Sequence, residues 1–279
     1  IYLTILVIIH YFFQLSVYGA IWANISGILV CLLLGIYFLF KSGYCVRLTL
    51  NKALYMESFK FGLKQHLGAI FQLLNYRLDM FIIAILLSSV EVGQYSVSVI
   101  IAETIWYIPF SLGKVLYPKT ASSDTEAANT FTPLVCKTNI ILTFIAVLIL
   151  YGISGIIIPW LFTSKFYPSV MALRLLLPGT FFLGITKVLG SDLSGRGFPQ
   201  FGTYAALVSL IFTLILDFLL IPHFGINGAA FATTIAYMIS ALIITYLFIK
   251  TTGVRPLDLL ILRTEDIIDY RRVLKVFHK

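Results

Sequence analysis

Long apolar stretches separated by short polar segments make up most of this 279-residue chain. A membrane-spanning helix needs about 20 consecutive, mainly apolar residues. This criterion predicts eight spans, the first of them short: 1–15, 17–41, 59–88, 94–118, 133–157, 168–190, 201–221 and 227–250. The runs are continuous, whereas membrane β-strands show segments of about ten alternating residues. We therefore expect an all-α polytopic membrane protein.

The composition agrees with a membrane location. Hydrophobic residues make up 59% of the chain and charged residues only 11%, whereas soluble domains average roughly 25% charged residues. A soluble protein of this length could not bury so much apolar surface. The three cysteines form no CxxC motif or Cys/His cluster, and no Ser/His/Asp spacing recurs. We expect no metal, no cofactor and no enzymatic activity.

The distribution of lysine and arginine along the chain explains its net charge of +8. Most of them lie on alternate connections between the predicted spans: 41–58, 114–137, 191–200 and the segment from 250 onwards. Cytoplasmic loops of membrane proteins carry such an excess, so we expect these connections and the C-terminus in the cytoplasm. Nucleic acid is not needed to explain the charge. The basic tail predicts either a surface helix on anionic lipid or a solvated segment.

The predicted span 59–88 carries polar residues along one helical face, at 100° per residue. Members of this face are Lys64, Gln65, Gly68, Gln72, Asn75 and Asp79. A charge near the middle of a spanning helix costs roughly 2.5–3.5 kcal/mol, so such residues usually face an interior and serve a function. We expect this face to line a substrate path.

A second polar stripe is predicted on span 94–118, which Pro109 interrupts. Its members are Ser96, Glu103, Tyr107 and Lys114. Arg77 and Asp79 point in different directions from their own helix, so they cannot pair with each other. Arg77 and Glu103 lie at matching depth, which predicts an ion pair that is either structural or part of the path. Asp79 then becomes the candidate proton-binding carboxylate, or a carboxyl hydrogen-bonded between helices.

The remaining charges lead to weaker expectations. Arg174 and Asp217 lie at similar depths and could form a second pair. Lys187 is expected to reach the cytoplasmic surface, and the glycine-rich stretch 190–197 to form a tight cytoplasmic turn. Three basic groups near the predicted cytoplasmic mouth could contact a pyrophosphate, or simply reflect the positive-inside rule: Lys60, Lys64 and Arg196.

A weak internal repeat relates two predicted spans. Both 19–23 and 228–232 read Gly-Ala-apolar-aromatic-Ala, although a chance match of five such residues is common. A true repeat would predict a two-lobed transporter built from parallel repeats, with a first lobe preceding most of this chain.

Four stretches carry a resemblance to a known family. They read YRLDMFIIAILLSSVEVGQYSVS from residue 76, IPFSLGKVLYPK from 108, YPSVMALRLLLPGTFFLGITKVLGSDLSGRGFPQ from 167 and IPHFGINGAAFATTIAY from 221. Together they resemble the C-terminal half of the polysaccharide-biosynthesis flippases. This is the O-antigen, Wzx-type branch of the multidrug/oligosaccharidyl-lipid/polysaccharide (MOP) superfamily, to which the MATE transporters also belong.

The resemblance implies a domain order and a function. Residues 1–41 would end the N-terminal lobe, 42–58 would form a cytoplasmic linker, 59–250 a six-helix C-terminal lobe and 251–279 a cytoplasmic tail. The family encloses a cationic cavity between two lobes and moves undecaprenyl-diphosphate-linked oligosaccharides to the periplasmic leaflet, with proposed proton or ion coupling. Implied partners are this substrate, membrane lipids, the missing N-terminal lobe and a polysaccharide polymerase complex, in a bacterial inner membrane.

Three alternatives remain open. A multidrug cation antiporter of the same superfamily would need a net acidic cavity. A polymerase or ligase of lipid-linked sugars would need a substantial periplasmic loop, and the predicted far-side loops are short. A truncated, non-functional remnant would hold only half of a cavity.

Overall fold

The structure, a computed structural model, describes residues 17–43 and 51–260, in which every regular element is a helix. The side chains of Lys64 and Gln65 lie outside the described part, as does the predicted span 1–15. The chain divides into two compact units, 1–55 and 56–279.

Nine α-helices follow one another in the described residues: α1 (Val17–Lys41), α2 (Lys52–Leu86), α3 (Ser89–Glu103), α4 (Tyr107–Ser122), α5 (Thr125–Phe162), α6 (Ser169–Gly195), α7 (Gln200–Phe224), α8 (Ile226–Thr252) and α9 (Pro256–Leu260). With α3 and α4 taken as one segment, seven segments of the described chain are long and apolar enough to cross a membrane. The predicted all-α membrane fold is confirmed, and seven of the eight predicted spans correspond to these segments.

Helix α1 belongs to the first unit. Most of its described side chains are apolar and exposed, including Trp22, Phe38 and Phe40. A helix that is apolar on all sides is typical of a membrane span.

Helix α2 is longer than predicted, because it begins at Lys52 and not at residue 59. Asn51 precedes it, and its side-chain oxygen accepts a hydrogen bond from the backbone N–H of Ala53 at 3.1 Å, which satisfies one free donor at the helix start. The end of the predicted linker 42–58 is therefore helical. At 1.5 Å per residue, α2 is about 50 Å long and exceeds the bilayer core of about 30 Å.

A 3₁₀ turn at Thr104–Trp106 separates α3 from α4. Pro109 follows in the first turn of α4, where it has no N–H to donate back to the carbonyl of Ile105. The predicted interruption of this span is therefore present just before the proline.

Helix α6 is the centre of the second unit. It packs against α3, α4, α5 and α8, and α7 packs on α8. One apolar cluster includes Ile83, Tyr95 and Leu173, and a second includes Leu189 and Phe248. Small residues bring the backbones close together, as is common between membrane helices.

The glycine-rich stretch 190–197 is not a turn as predicted. Helix α6 continues through it to Gly195, and the chain reverses only before α7 begins at Gln200. Gly197 has φ +89° there, a left-handed conformation that glycine adopts without steric cost.

Candidate functional site

A cavity of about 530 Å³ lies among α2, α4, α6, α7 and α8 of the second unit. This volume is in the range of small-molecule sites. Glycines 68, 113, 190 and 202 contribute to its wall, which also carries these polar residues: Gln72, Lys114, Tyr117, Thr186, Lys187, Ser191, Ser194, Thr203 and Ser240. The wall therefore offers amide, hydroxyl and ammonium groups inside an otherwise apolar membrane unit.

Lys187, on α6, is held at the cavity wall by two aromatic side chains. Its Nζ donates a hydrogen bond to the Tyr76 hydroxyl at 3.0 Å. The same atom lies 5.1 Å from the ring centroid of Tyr76 and 4.8 Å from that of Trp106. Cation–π attraction over two rings stabilises an ammonium group in this position. The prediction that Lys187 extends to the cytoplasmic surface is wrong, because these rings retain it inside.

Two residues predicted for the substrate path, Gln72 of α2 and Lys114 of α4, line the cavity. The Nζ of Lys114 lies 4.5 Å from the ring centroid of Phe110, which is also a lining residue. Gly68 lies one turn before Gln72 and lines the same cavity. The inward orientation predicted for this part of the polar face on α2 is present.

Asp79 continues the same face of α2 into a buried polar cluster. Its Oδ2 accepts hydrogen bonds from the Tyr95 hydroxyl at 2.5 Å and from Thr233 Oγ1 at 3.4 Å, and its Oδ1 accepts one from the backbone N–H of Met80 at 2.8 Å. Its exposure is only 2%. Because Tyr95 lies on α3 and Thr233 on α8, the prediction of a carboxyl hydrogen-bonded between helices is confirmed, and the proton-binding role of Asp79 stays a prediction.

Asp217, on α7, is a buried carboxylate for which the described chain offers no hydrogen-bond partner. It is completely buried, and within the described chain neither of its carboxylate oxygens has a hydrogen-bond partner. The predicted pair with Arg174 does not form, because Arg174 Nε donates to the Ser154 hydroxyl at 2.9 Å and its guanidinium lies 5.1 Å from the Tyr151 ring. Asp217 instead lies within electrostatic range of Asp79.

Asn75 bridges α2 to α7 within this cluster. Its Nδ2 donates to the Ser209 hydroxyl at 2.7 Å, and its Oδ1 accepts from the Thr213 hydroxyl at 2.6 Å. Ser209, Thr213 and Asp217 are spaced four residues apart, so they share one face of α7. This spacing, visible in the sequence, indicates a polar face on α7 that was not predicted. The roles of Tyr95 and Thr233 were not predicted either.

The predicted ion pair between Arg77 and Glu103 is confirmed. Arg77 Nη1 lies 3.2 Å from Glu103 Oε1, and the two side chains are 44% and 21% exposed. The pair joins α2 to the end of α3. Glu103 directly precedes the 3₁₀ turn that separates α3 from α4.

The rest of the predicted second stripe does not form one surface. Ser96 Oγ donates to the carbonyl of Gly93 at 2.8 Å, and Tyr107 is 74% exposed. Neither residue is among the described residues that line the cavity. The 3₁₀ turn changes the rotation of the chain between Glu103 and Tyr107, so the constant 100° step used for the prediction fails there. Of the predicted positions on α2, the side chains of Lys64 and Gln65 are outside the described part.

Arg196 is not a free basic group at the mouth of the path. Its Nε lies 2.7 Å from Asp192 Oδ2, one turn earlier in α6. The other oxygen of Asp192 accepts hydrogen bonds from Thr120 at 3.1 Å and Thr132 at 2.6 Å. This buried network ties α4 and α5 to the end of α6. Lys60, by contrast, is exposed.

The site therefore has two parts that meet along α2. The cavity presents hydrogen-bond donors and positive charge, which suit a polar or anionic ligand. The cluster around Asp79 and Asp217 presents two neighbouring carboxylates that can bind a proton or a small cation. Within the described residues, no three His, Cys, Asp or Glu side chains come together as a metal site.

The sequence matches a protein family described as polysaccharide biosynthesis protein over residues 1–171. This match covers more than half of the chain. The chain belongs to this family.

Two curated relatives also match parts of the chain. An uncharacterized membrane protein of Methanocaldococcus jannaschii is 33% identical over 138 residues, which are 48% of this chain and 27% of the relative.

The probable low-salt glycan biosynthesis flippase Agl15 of Haloferax volcanii is 25% identical over 176 residues, which are 60% of this chain and 36% of the relative. The chain thus spans well under half the length of these curated relatives.

Solved structures show the same fold. An outward-facing multidrug resistance MATE family transporter of the MOP superfamily aligns with a TM-score of 0.63 and 18% identity, covering 76% of this chain and 49% of the transporter. The lipid II flippase MurJ, in an inward closed conformation, aligns with a TM-score of 0.60 and 19% identity, covering 91% of this chain and 57% of MurJ. The polysaccharide biosynthesis chain therefore has the fold of MOP superfamily transporters.

Proposed function

We propose that this chain forms the C-terminal part of a flippase that moves lipid-linked oligosaccharides across a membrane for surface polysaccharide synthesis. The observation that carries the proposal is the polar cavity of about 530 Å³ inside a membrane-spanning unit. Membership of the polysaccharide biosynthesis family supports it, as do the relative named as a glycan biosynthesis flippase and the fold shared with MurJ.

The cavity meets the main physical requirement of such a flippase, which is to shelter a polar head group from hydrocarbon. The head of a lipid-linked sugar carries hydroxyl and phosphate groups, which lose their hydration on entering hydrocarbon at a high free-energy cost. Gln72, Ser194 and the lysines of the wall can replace part of that hydration. Exposed apolar residues on the outer faces, such as Phe218 and Leu242, suit contact with lipid, where the prenyl tail stays.

Transport would proceed by alternating access, in which one lobe rocks against the other. We propose undecaprenyl diphosphate as the lipid carrier, a bacterial inner membrane as the location, and a cytoplasmic C-terminus. A first lobe and a polysaccharide polymerase complex would be the protein partners. In this proposal the chain moves its substrate without catalysing a reaction on it.

Coupling to a proton or cation would use the carboxylates of the buried cluster. Asp217 is the stronger candidate, because it is completely buried and its oxygens have no partner in the described chain. An ionised carboxylate in this position is costly unless it is protonated or paired with a cation. Asp79, which α2 carries on the same face as the cavity residue Gln72, would transmit the change in charge to the substrate path.

A multidrug cation antiporter is the second candidate function. The fold shared with the MATE transporter and the unpartnered Asp217 favour it, since a buried carboxylate attracts cations. The lysines of the cavity oppose it. The two candidates therefore differ in the sign of the charge that the cavity should accept.

A flipping assay tests the proposal. The full-length protein is reconstituted into liposomes that contain a fluorescent undecaprenyl-diphosphate-linked oligosaccharide, and protection of the sugar from an external reagent measures transfer. We expect transfer that increases with an imposed proton or sodium gradient. Asp217→Asn should abolish the gradient dependence, whereas Asp124→Asn, which alters an exposed carboxylate between α4 and α5, should retain it. Ethidium transport without sugar transfer would refute the flippase and favour the antiporter.

A further inference from the structure

Arg174 is a cation on the outer surface of α6, and within the described chain its contacts are neutral. Met171 and Pro178, about one turn before and one turn after it, lie on the same face of the helix and are both exposed. The neighbouring helix α5 also exposes large apolar side chains, such as Leu148 and Ile156. An apolar surface of this kind is typical of contact with lipid. Arg174 therefore lies on a lipid-facing surface of the second unit.

This surface is separate from the polar cavity. Arg174 is not among the described residues that line the cavity, whereas α6 contributes Lys187, Gly190 and Ser194 to the cavity wall. At 100° per residue, these three residues point about 140–160° away from Arg174 around the helix axis. A ligand of Arg174 would therefore lie on the other side of α6 from a substrate in the cavity, and its presence does not rest on the proposed function.

Two contacts hold the guanidinium of Arg174 against α5. Its Nε donates a hydrogen bond to the Ser154 hydroxyl at 2.9 Å, and its central carbon lies 5.1 Å from the ring centroid of Tyr151. Ser154 is completely buried and donates its own hydroxyl to the carbonyl of Tyr151 at 2.8 Å, which fixes the acceptor in place. The two Nη groups carry the other N–H donors of the guanidinium, and they bond no acceptor of the described chain.

The depth of Arg174 places these donors near the surface of the bilayer. Helix α6 has 27 residues, so it is about 40 Å long and exceeds a hydrocarbon core of about 30 Å by about 5 Å at each end when it is centred. The Cα of Arg174, five residues after Ser169, then lies about 3 Å inside the core. Helical side chains tilt toward the N-terminus, and a long basic side chain reaches the head groups from this depth.

We propose that Arg174 binds the phosphate of an anionic phospholipid in the leaflet at the Ser169 end of α6, and that Ser154 and Tyr151 position its guanidinium. Arginine matches phosphate oxygens with paired hydrogen bonds, and such charge-assisted bonds are about twice as strong as neutral ones. A lipid with net negative charge is preferred, because the ammonium group of a zwitterionic lipid offsets its phosphate. The exposed apolar side chains of α5 are suited to contact with the acyl chains.

Photolabelling with a lipid probe tests this site. The full-length protein in phosphatidylcholine nanodiscs receives phosphatidylglycerol with a diazirine in its head group, and peptide mass spectrometry measures labelling of α5 and α6 around Arg174. Competition by unlabelled phosphatidylglycerol gives the local affinity. We expect Arg174→Gln to weaken this affinity about 10-fold or more, because it removes hydrogen bonds between charged groups. Arg174→Lys keeps the charge but lacks the planar fork, so it should weaken the affinity less, and it tests the site even if the glutamine variant does not fold.

The matched control is Lys165→Gln, which removes one positive charge at the same end of the unit. Lys165 is exposed in the 3₁₀ turn Ser164–Phe166, which precedes α6. This variant should leave the local affinity unchanged. An equal loss of affinity in Lys165→Gln and Arg174→Gln would indicate general surface charge and overturn the site. Unchanged affinity in both variants of Arg174 would overturn it as well.

Inorganic phosphate separates the two sources of the anion. It should displace the probe far less effectively than phosphatidylglycerol does, because it has no acyl chains to lie along α5. Equal displacement by the two would overturn a lipid site in favour of free phosphate. Equal displacement by added phosphatidylcholine and phosphatidylglycerol would show that lipid charge is not recognised and would also overturn the proposal. Absence of sugar transfer in the flipping assay, together with labelling that depends on Arg174, would refute the flippase and support the lipid site.

Discussion

Helices α6 and α8 cross closely at Gly179, and the distances there predict how much Gly179→Ala should destabilise the protein. A Cβ added to Gly179 would lie 2.7 Å from Thr234 Oγ1 and 2.8 Å from Thr234 Cα. Carbon contacts are optimal at about 3.5–4.0 Å, so Gly179→Ala requires the two helices to separate by about 1 Å. The Thr234 hydroxyl donates to the carbonyl of Leu175 at 2.5 Å, and this bond would be strained as well.

The size of the effect follows from two opposing terms. Overpacking of a close contact costs about 1–3 kcal/mol, while alanine gains up to about 1 kcal/mol over glycine in a helix. Relative to a helical glycine-to-alanine change that meets no neighbour, which keeps only the second term, Gly179→Ala should lose about 1–3 kcal/mol of unfolding free energy. At about 2–4 °C per kcal/mol, its Tm should lie about 2–12 °C below that of such a control.

A thiol-reactive dye measures this change. Cys136 is buried, with 1% exposure, so its thiol reacts when the second unit unfolds; Cys31 and Cys45 are replaced by serine. The control is Gly152→Ala on α5, where an added Cβ meets no atom within 4 Å. It should leave the Tm unchanged or raise it. A Tm for Gly179→Ala equal to or above that of Gly152→Ala would refute the close approach of α6 and α8.

Two further predictions concern charges. Asp192→Asn should lower the unfolding free energy by about 3 kcal/mol, because it breaks the ion pair of a completely buried carboxylate with Arg196. Asp124→Asn, which alters an exposed carboxylate, is the control. An equal Tm for both variants in the thiol assay would contradict the buried network. A double-mutant cycle of Arg77→Gln and Glu103→Gln should give a coupling energy of about 0.5–1 kcal/mol, since the arginine is 44% exposed and solvent screening weakens the pair. Strictly additive losses of stability would show that the pair contributes nothing.

Much of the fold could be predicted from the sequence because membrane helices obey local rules. Every backbone polar group must be satisfied inside a span, so a long apolar run can only be a helix. The 100° periodicity also oriented part of α2 correctly, with Gln72 toward the cavity and Asn75 and Asp79 in the buried cluster. Depth matching identified the pair of Arg77 and Glu103, because a short connection makes neighbouring helices antiparallel.

The sequence by itself therefore determined the membrane class, most spans and the inward face of α2. The tertiary structure decided which charges have partners. Arg174 binds Ser154 and leaves Asp217 alone, Tyr95 and Thr233 satisfy Asp79, and two aromatic rings retain Lys187 at the cavity. Similar depth permits a pair, but formation also depends on how each helix is rotated and on which neighbour lies closer. Those quantities are set by packing between helices distant in sequence, and no local pattern along the chain encodes them.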